Sequence, residues 1–114
     1  MLLDYMLTKL TELVEGLQVF PDRMQQNLEL SKGLYFSQSI LLALTRAGAE
    51  RKNAYEAVQR AAMKTWKGSD SFAQNAKREP EIAERLSEAE IDALCSLDVH
   101  LRHVDETFRA VGLD

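Results

Sequence analysis

The chain has 114 residues, a formal net charge of −4 at pH 7, 46% hydrophobic residues and 28% charged ones. That length fits one domain with a real core, and the composition is that of a folded chain rather than a disordered one. No basic stripe with interleaved aromatics is present, which argues against nucleic acid as a partner. The single cysteine, Cys95, excludes an internal disulfide framework and fits a reducing compartment.

The first segment, MLLDYMLTKL, is apolar but lacks the basic n-region of a signal peptide. No apolar run reaches the length that spans a bilayer. The expectation is a cytoplasmic protein with no membrane contact.

Leu2, Leu3, Met6, Leu7, Leu10, Leu13, Val14 and Leu17 recur at the i, i+3, i+4, i+7 spacing of an amphipathic helix. Asp4, Thr8, Thr11, Glu12 and Glu15 fall between them. A helix normally opens on Ser, Thr, Asp or Asn, because its first amides need acceptors. Here the apolar pattern is already running at Leu2, so the helix reads as if cut in the middle.

Pro21 suits the first turn of a second helix, which ends near Gly33 as C-terminal cap. A third helix is expected from about Leu34 to Ala47. Its five consecutive apolar residues, Ile40 to Leu44, predict burial on most sides, and Gly48 closes it. A fourth helix follows from Glu50 to Lys67. Its inward face is read as Ala54, Tyr55, Val58, Ala61, Ala62, Thr65 and Trp66, and Gly68 stops it. Ser69 is the expected cap of a short helix, and Pro80 starts another. Ser87-Glu88-Ala89-Glu90 is a capping box: the serine serves the N3 amide and Glu90 reaches back. That helix runs to about Cys95, and a last one carries Val104, Phe108 and Val111. No segment alternates as a strand does, so the fold class is all-α, with a long amphipathic helix followed by a small multi-helix domain.

Four groups of residues are candidates for chemistry. Ser31-Lys32-Gly33 is not a phosphate loop, which needs GxxxxGK[ST] between a strand and a helix. A helix cap is the better reading. Ser37 has no histidine within a few residues to act as its base, so Ser37-Gln38-Ser39 reads as a helical surface facing a neighbour. Cys95, Asp98, His100 and His103 are all residue types that bind divalent metals, but their spacing matches no familiar zinc module. The structural reading is a helix–helix joint in which Asp98 caps or turns, His100 packs and His103 is solvated. Glu79, Glu81, Glu84, Glu88 and Glu90 form a charge-dense run that reads as a solvated face, although paired carboxylates do acid–base work in a suitable pocket. Together these residues provide no convincing catalytic set.

The segment VFPDRMQQNLELSKGLYFSQSILLALTRAG resembles the start of the C-terminal region of the adenylosuccinate lyase family, in the fumarase/aspartase superfamily. The similar features are Pro21, Met24, Asn27, Gly33-Leu34, Phe36-Ser37-Gln38 and the apolar run to Leu44. AYEAVQRAAMKTW continues it through Ala54, Tyr55, Val58, Gln59, Ala62 and Trp66. HLRHVDETFRAVG ends it with His100-Leu101, Val104-Asp105, Phe108 and Gly112. LLDYML, residues 2 to 7, is similar to the last long helix of the family's central bundle.

The resemblance implies a division into residues 1–33, the end of the bundle, and residues 34–114, a C-terminal helical domain. The family's signature loop, GSSxMPxKxN, its catalytic histidines, and the serine and arginine that hold substrate fall on no position of this sequence. The resemblance therefore implies a C-terminal fragment with no catalytic, substrate-binding or metal residue of its own.

The parent it implies is a homotetrameric lyase of purine biosynthesis. That enzyme releases fumarate from adenylosuccinate to leave AMP, and from the succinyl-carboxamide ribotide, by β-elimination without a metal or organic cofactor. Self-association through Leu3, Leu7, Leu10, Val14 and Leu17 is expected. Two alternatives stay open: the C-terminal region of a related 3-carboxymuconate cycloisomerase, and a stand-alone helical adaptor that docks through its first helix.

Overall fold

A computed structural model describes residues 1–113. Among them every regular element is helical. In chain order these are α1 (Leu2–Glu15), α2 (Pro21–Glu29), a 3-10 turn (Leu34–Phe36), α3 (Ser37–Arg46) and α4 (Arg51–Lys67). Then come α5 (Phe72–Lys77), α6 (Pro80–Ala83), α7 (Glu88–Leu94), α8 (Asp98–Leu101) and α9 (Val104–Ala110).

The molecule is elongated, 63 × 31 × 24 Å, with a radius of gyration of 19.8 Å. A compact chain of this length has a radius of about 13 Å. The excess has a plain cause: no residue of α1 or α2 is buried, so these helices form an arm that adds length without adding core.

The core begins at Phe36. It joins Ile40 and Leu44 of α3, an alanine-rich face of α4, Phe72 and Ala76 of α5, and Ile82, Leu86 and Ile91. Helix α4 is central and packs against α3, α5 and α6. Its stripe of Ala54, Ala57, Val58 and Ala61 has little side-chain bulk, so the larger Phe72, Ile40, Leu44, Ile82 and Ile91 fill the space around it. Each of these is fully enclosed and contributes about 1.5–3 kcal/mol by leaving water.

Helix ends follow the expected chemistry with two corrections. Helix α2 ends at Glu29 with Leu30 as its C-terminal cap, so Gly33 is not that cap but opens the following 3-10 turn. Pro21 and Pro80 open α2 and α6. Ser87 caps α7 in a complete box: its Oγ accepts from the Glu90 amide at 3.3 Å, and its own amide donates to Glu90 Oε2 at 2.8 Å. The cap of α5 is Ser71, not Ser69, and Gln74 closes a second box there. Both serines precede the helix, but only Ser71 lies three residues before a side chain that can reach back.

Three expectations about packing are corrected. Helix α3 buries one side only: Ile40 and Leu44 are enclosed while Leu42 is 47% exposed. Five apolar residues in a row cover every direction around a helix, and only those a neighbour meets are buried. On α4, Tyr55 and Trp66 are exposed, at 56% and 74%. The buried stripe runs through 54, 57, 58, 61 and 65, and each aromatic sits one residue, about 100°, past it. Ala57, absent from the expected inward face, is fully buried. Glu79, read as part of a solvated face, is only 4% exposed.

Candidate interaction surface

Several polar side chains of α1 are paired within the helix itself. Lys9 pairs with Glu12 at 2.7 Å, and the hydroxyls of Thr8 and Thr11 donate to the carbonyls of Asp4 and Leu7 at 2.9 Å each. No side chain caps its first turn. What remains is the apolar face. Leu3, Leu7, Leu10, Val14 and Leu17 are each 55–72% exposed. Phe20, Met24 and Leu28 extend the exposed apolar surface onto α2. An exposed apolar stripe such as that of α1 is a site for contact with another surface.

A second open surface lies between α3 and α4. Ser37, Gln38 and Leu41 face Tyr55, Val58, Gln59 and Ala62 across a shallow cleft of about 260 Å³. Ser37 and Gln38 are thus placed on a cleft-lining helical surface. The cleft lining includes no histidine or carboxylate to take a proton from Ser37.

Ser31-Lys32-Gly33 forms the exit from α2. Lys32 and Gly33 both have positive φ, 51° and 82°, and Gly33 opens the 3-10 turn. This is the backbone geometry of a helix terminus, and the Lys32 ammonium donates to the Gly68 carbonyl rather than standing free for a phosphate.

The structure disperses the Cys95–His103 group. Asp98 is bonded through its carboxylate and amide to Ser96 Oγ, at 3.1 and 3.2 Å, and turns the chain. The His100 ring stacks on Phe36 with centroids 5.7 Å apart. His103 lies on the surface 3.3 Å from Glu106. Cys95 is half-buried, and burial pushes its thiol up to about 11. Among the described residues, no group of three or more His, Cys, Asp or Glu side chains is placed to hold a metal ion.

The buried Glu79 is the polar feature that the sequence concealed. Its Oε1 accepts from Arg60 Nε at 2.7 Å and its Oε2 from Lys64 Nζ at 3.0 Å. Arg60 also reaches Glu81 at 3.1 Å. Burial acts to raise the Glu79 pKa, but the Arg60 and Lys64 donors outweigh it and hold the carboxyl below its ordinary value. A readable signal existed: Arg60 and Lys64 are four apart on α4, so they present two cations on one face. Beside it, Thr65 Oγ1 donates to the Ala61 carbonyl and accepts from Asn75 Nδ2, each at 3.0 Å. Both networks tie α4 to the α5–α6 region.

A family model described as the adenylosuccinate lyase C-terminus matches residues 33–111. The chain belongs to this family. Similar curated relatives are adenylosuccinate lyases from Thermotoga maritima, Aquifex aeolicus and Bacillus subtilis. The Thermotoga enzyme is 38% identical over 106 residues, covering 93% of this chain and 25% of the relative. The Aquifex enzyme is 40% identical over 109 residues, 96% of this chain and 25% of the relative. The Bacillus enzyme is 38% identical over 111 residues, 97% of this chain and 26% of the relative. The chain thus spans about a quarter of the length of the curated relatives it matches. The family match begins at the left-handed Gly33 and covers the buried core, whereas the exposed arm lies before it. No helix among the described residues is long and apolar enough to cross a membrane.

Proposed function

We propose that this chain forms the C-terminal part of a cytoplasmic adenylosuccinate lyase and serves it structurally. The observation that carries this reading is the match of residues 33–111 to the C-terminal region of that family. In this reading residues 1–33 complete a helical bundle and residues 34–114 form the small domain that packs on it. The onset of burial at Phe36 supports that division. The chemistry is a β-elimination: a base takes a proton next to a carboxylate, and an acid protonates the departing nitrogen, releasing fumarate and leaving AMP. The succinyl-carboxamide ribotide of the same pathway is cleaved in the same way. The base, the acid and the substrate clamps come from segments that this chain does not contain. The curated names of the relatives favour this substrate over the carboxymuconate alternative.

The exposed face of α1 supports an assembly role, in which copies of the parent pack this stripe against one another in a homotetramer. The test is turnover. A polypeptide that carries this chain behind the family's upstream segments is expected to cleave adenylosuccinate with release of fumarate, and the 114-residue chain alone to be inert. Turnover by the chain alone, or an upstream-extended enzyme that ignores adenylosuccinate, overturns the reading.

A further inference from the structure

The arm made by α1 and α2 buries nothing, so the direction in which α2 leaves the domain is set by the junction at Lys32-Gly33. Lys32 is the one non-glycine residue with positive φ among the described residues. A left-handed conformation is costly for a residue with a Cβ, and it persists where surrounding contacts impose it. Two such contacts are present, and both reach across to the α4–α5 loop. The Lys32 carbonyl accepts from the amide of Phe72 at 2.8 Å. Phe72 is fully buried at the start of α5, so this carbonyl meets a donor at the rim of the core. The Lys32 ammonium donates to the carbonyl of Gly68, the residue that ends α4. The C-terminal end of a helix carries partial negative charge and favours a cation there. Among the described residues, no other hydrogen bond or ion pair links residues 1–32 to the chain beyond Leu34.

We propose that Lys32 is a latch: its main-chain and side-chain bonds to the α4–α5 loop hold α2 at one angle to the domain. Gly33, with φ of 82°, supplies the free-turning hinge beside it. The latch determines the direction in which α2 leaves the domain. It follows from the geometry of this junction and does not depend on the lyase reading.

The angle is measurable as a distance. Nitroxide labels at Gln25→Cys on α2 and Glu84→Cys on the domain, in a Cys95→Ala background, report it by pulsed electron paramagnetic resonance. Labelled chains are diluted into unlabelled protein so that distances between copies drop out. The latched chain is expected to give a single narrow distribution. Lys32→Met, which deletes the ammonium, is expected to broaden it at least twofold with helicity unchanged by circular dichroism. Lys32→Arg, which keeps a cationic donor, is expected to stay within the parent width. Lys32→Gly, which also relieves the backbone, broadens it too and carries the readout where the Met variant is poorly folded. A broad distribution in the parent chain, or a narrow one in both Lys32→Met and Lys32→Gly, overturns the proposal.

Discussion

Replacing Glu79 with glutamine separates charge from shape. The side chain keeps its size and its burial, but one carboxylate oxygen becomes an NH2 group facing a cation. A hydrogen bond to a charged group is worth about 1.5–3 kcal/mol. Arg60 and Lys64 are 43% and 55% exposed, so water takes over part of what the carboxylate supplied. With that discount, Glu79→Gln is expected to cost about 1–2 kcal/mol. In a domain of this size that lowers Tm by roughly 4–16 °C. The pH dependence gives the sharper test. Glu79 titrates below its ordinary value of 4.5. A carboxyl with a depressed folded pKa contributes stability that is fully present above the unfolded pKa and lost as pH falls through the folded one. The Tm gap between parent and Glu79→Gln is therefore expected to be full at neutral pH and to close at acid pH, below that value. Thermal melts followed by circular dichroism across this range decide the matter. A gap that persists undiminished in acid, or a variant that melts with the parent at neutral pH, refutes the argument.

The arm and the capped helices yield further expectations. Leu10→Ala removes an exposed side chain, so folding stability should shift by less than about 0.5 kcal/mol. Self-association through α1 should weaken by about 1.5–3 kcal/mol, or roughly 10- to 150-fold in Kd. Sedimentation equilibrium reads this directly, and an unchanged Kd would remove the stripe from the interface. Ser87→Ala breaks the box on α7 and should cost about 1 kcal/mol in urea unfolding; loss of nothing measurable would mean that Glu90 alone holds the helix start. Cys95, with its thiol pushed up to about 11, should alkylate with a rate still climbing through pH 9–10. A free cysteine, with a pKa of about 8.5, levels off there; a plateau at that lower pH would show the thiol to be solvated.

Reading helices from the chain worked because their signals are local. Periodicity, prolines at helix starts and Ser-x-x-Glu spacing act within one turn, and the observed boundaries of α1, α2, α4 and α7 follow them closely. The resemblance to the adenylosuccinate lyase family was legible for a similar reason: it rests on ordered short pieces, from Pro21 to Gly112, that lie in the chain itself.

Burial was another matter. Tyr55, Trp66 and Glu79 each lie in the environment opposite to the one their local sequence predicts, and for one reason. A hydrophobic face states which residues favour burial, but the neighbours decide which of them are covered. On α4 the neighbours meet the alanine stripe, which leaves the two aromatics outside. Glu79 is drawn inward by Arg60 and Lys64, fifteen or more residues earlier in the chain, and no local pattern around Glu79 records that pairing. The leucine stripe of α1 shows the other case: its periodicity predicts a contact face, and among the described residues the fold leaves that face uncovered. Helix type and helix ends thus follow from bonds between near neighbours in sequence. Which apolar faces are buried, and which carboxylate is enclosed, depend on surfaces brought together from distant parts of the chain.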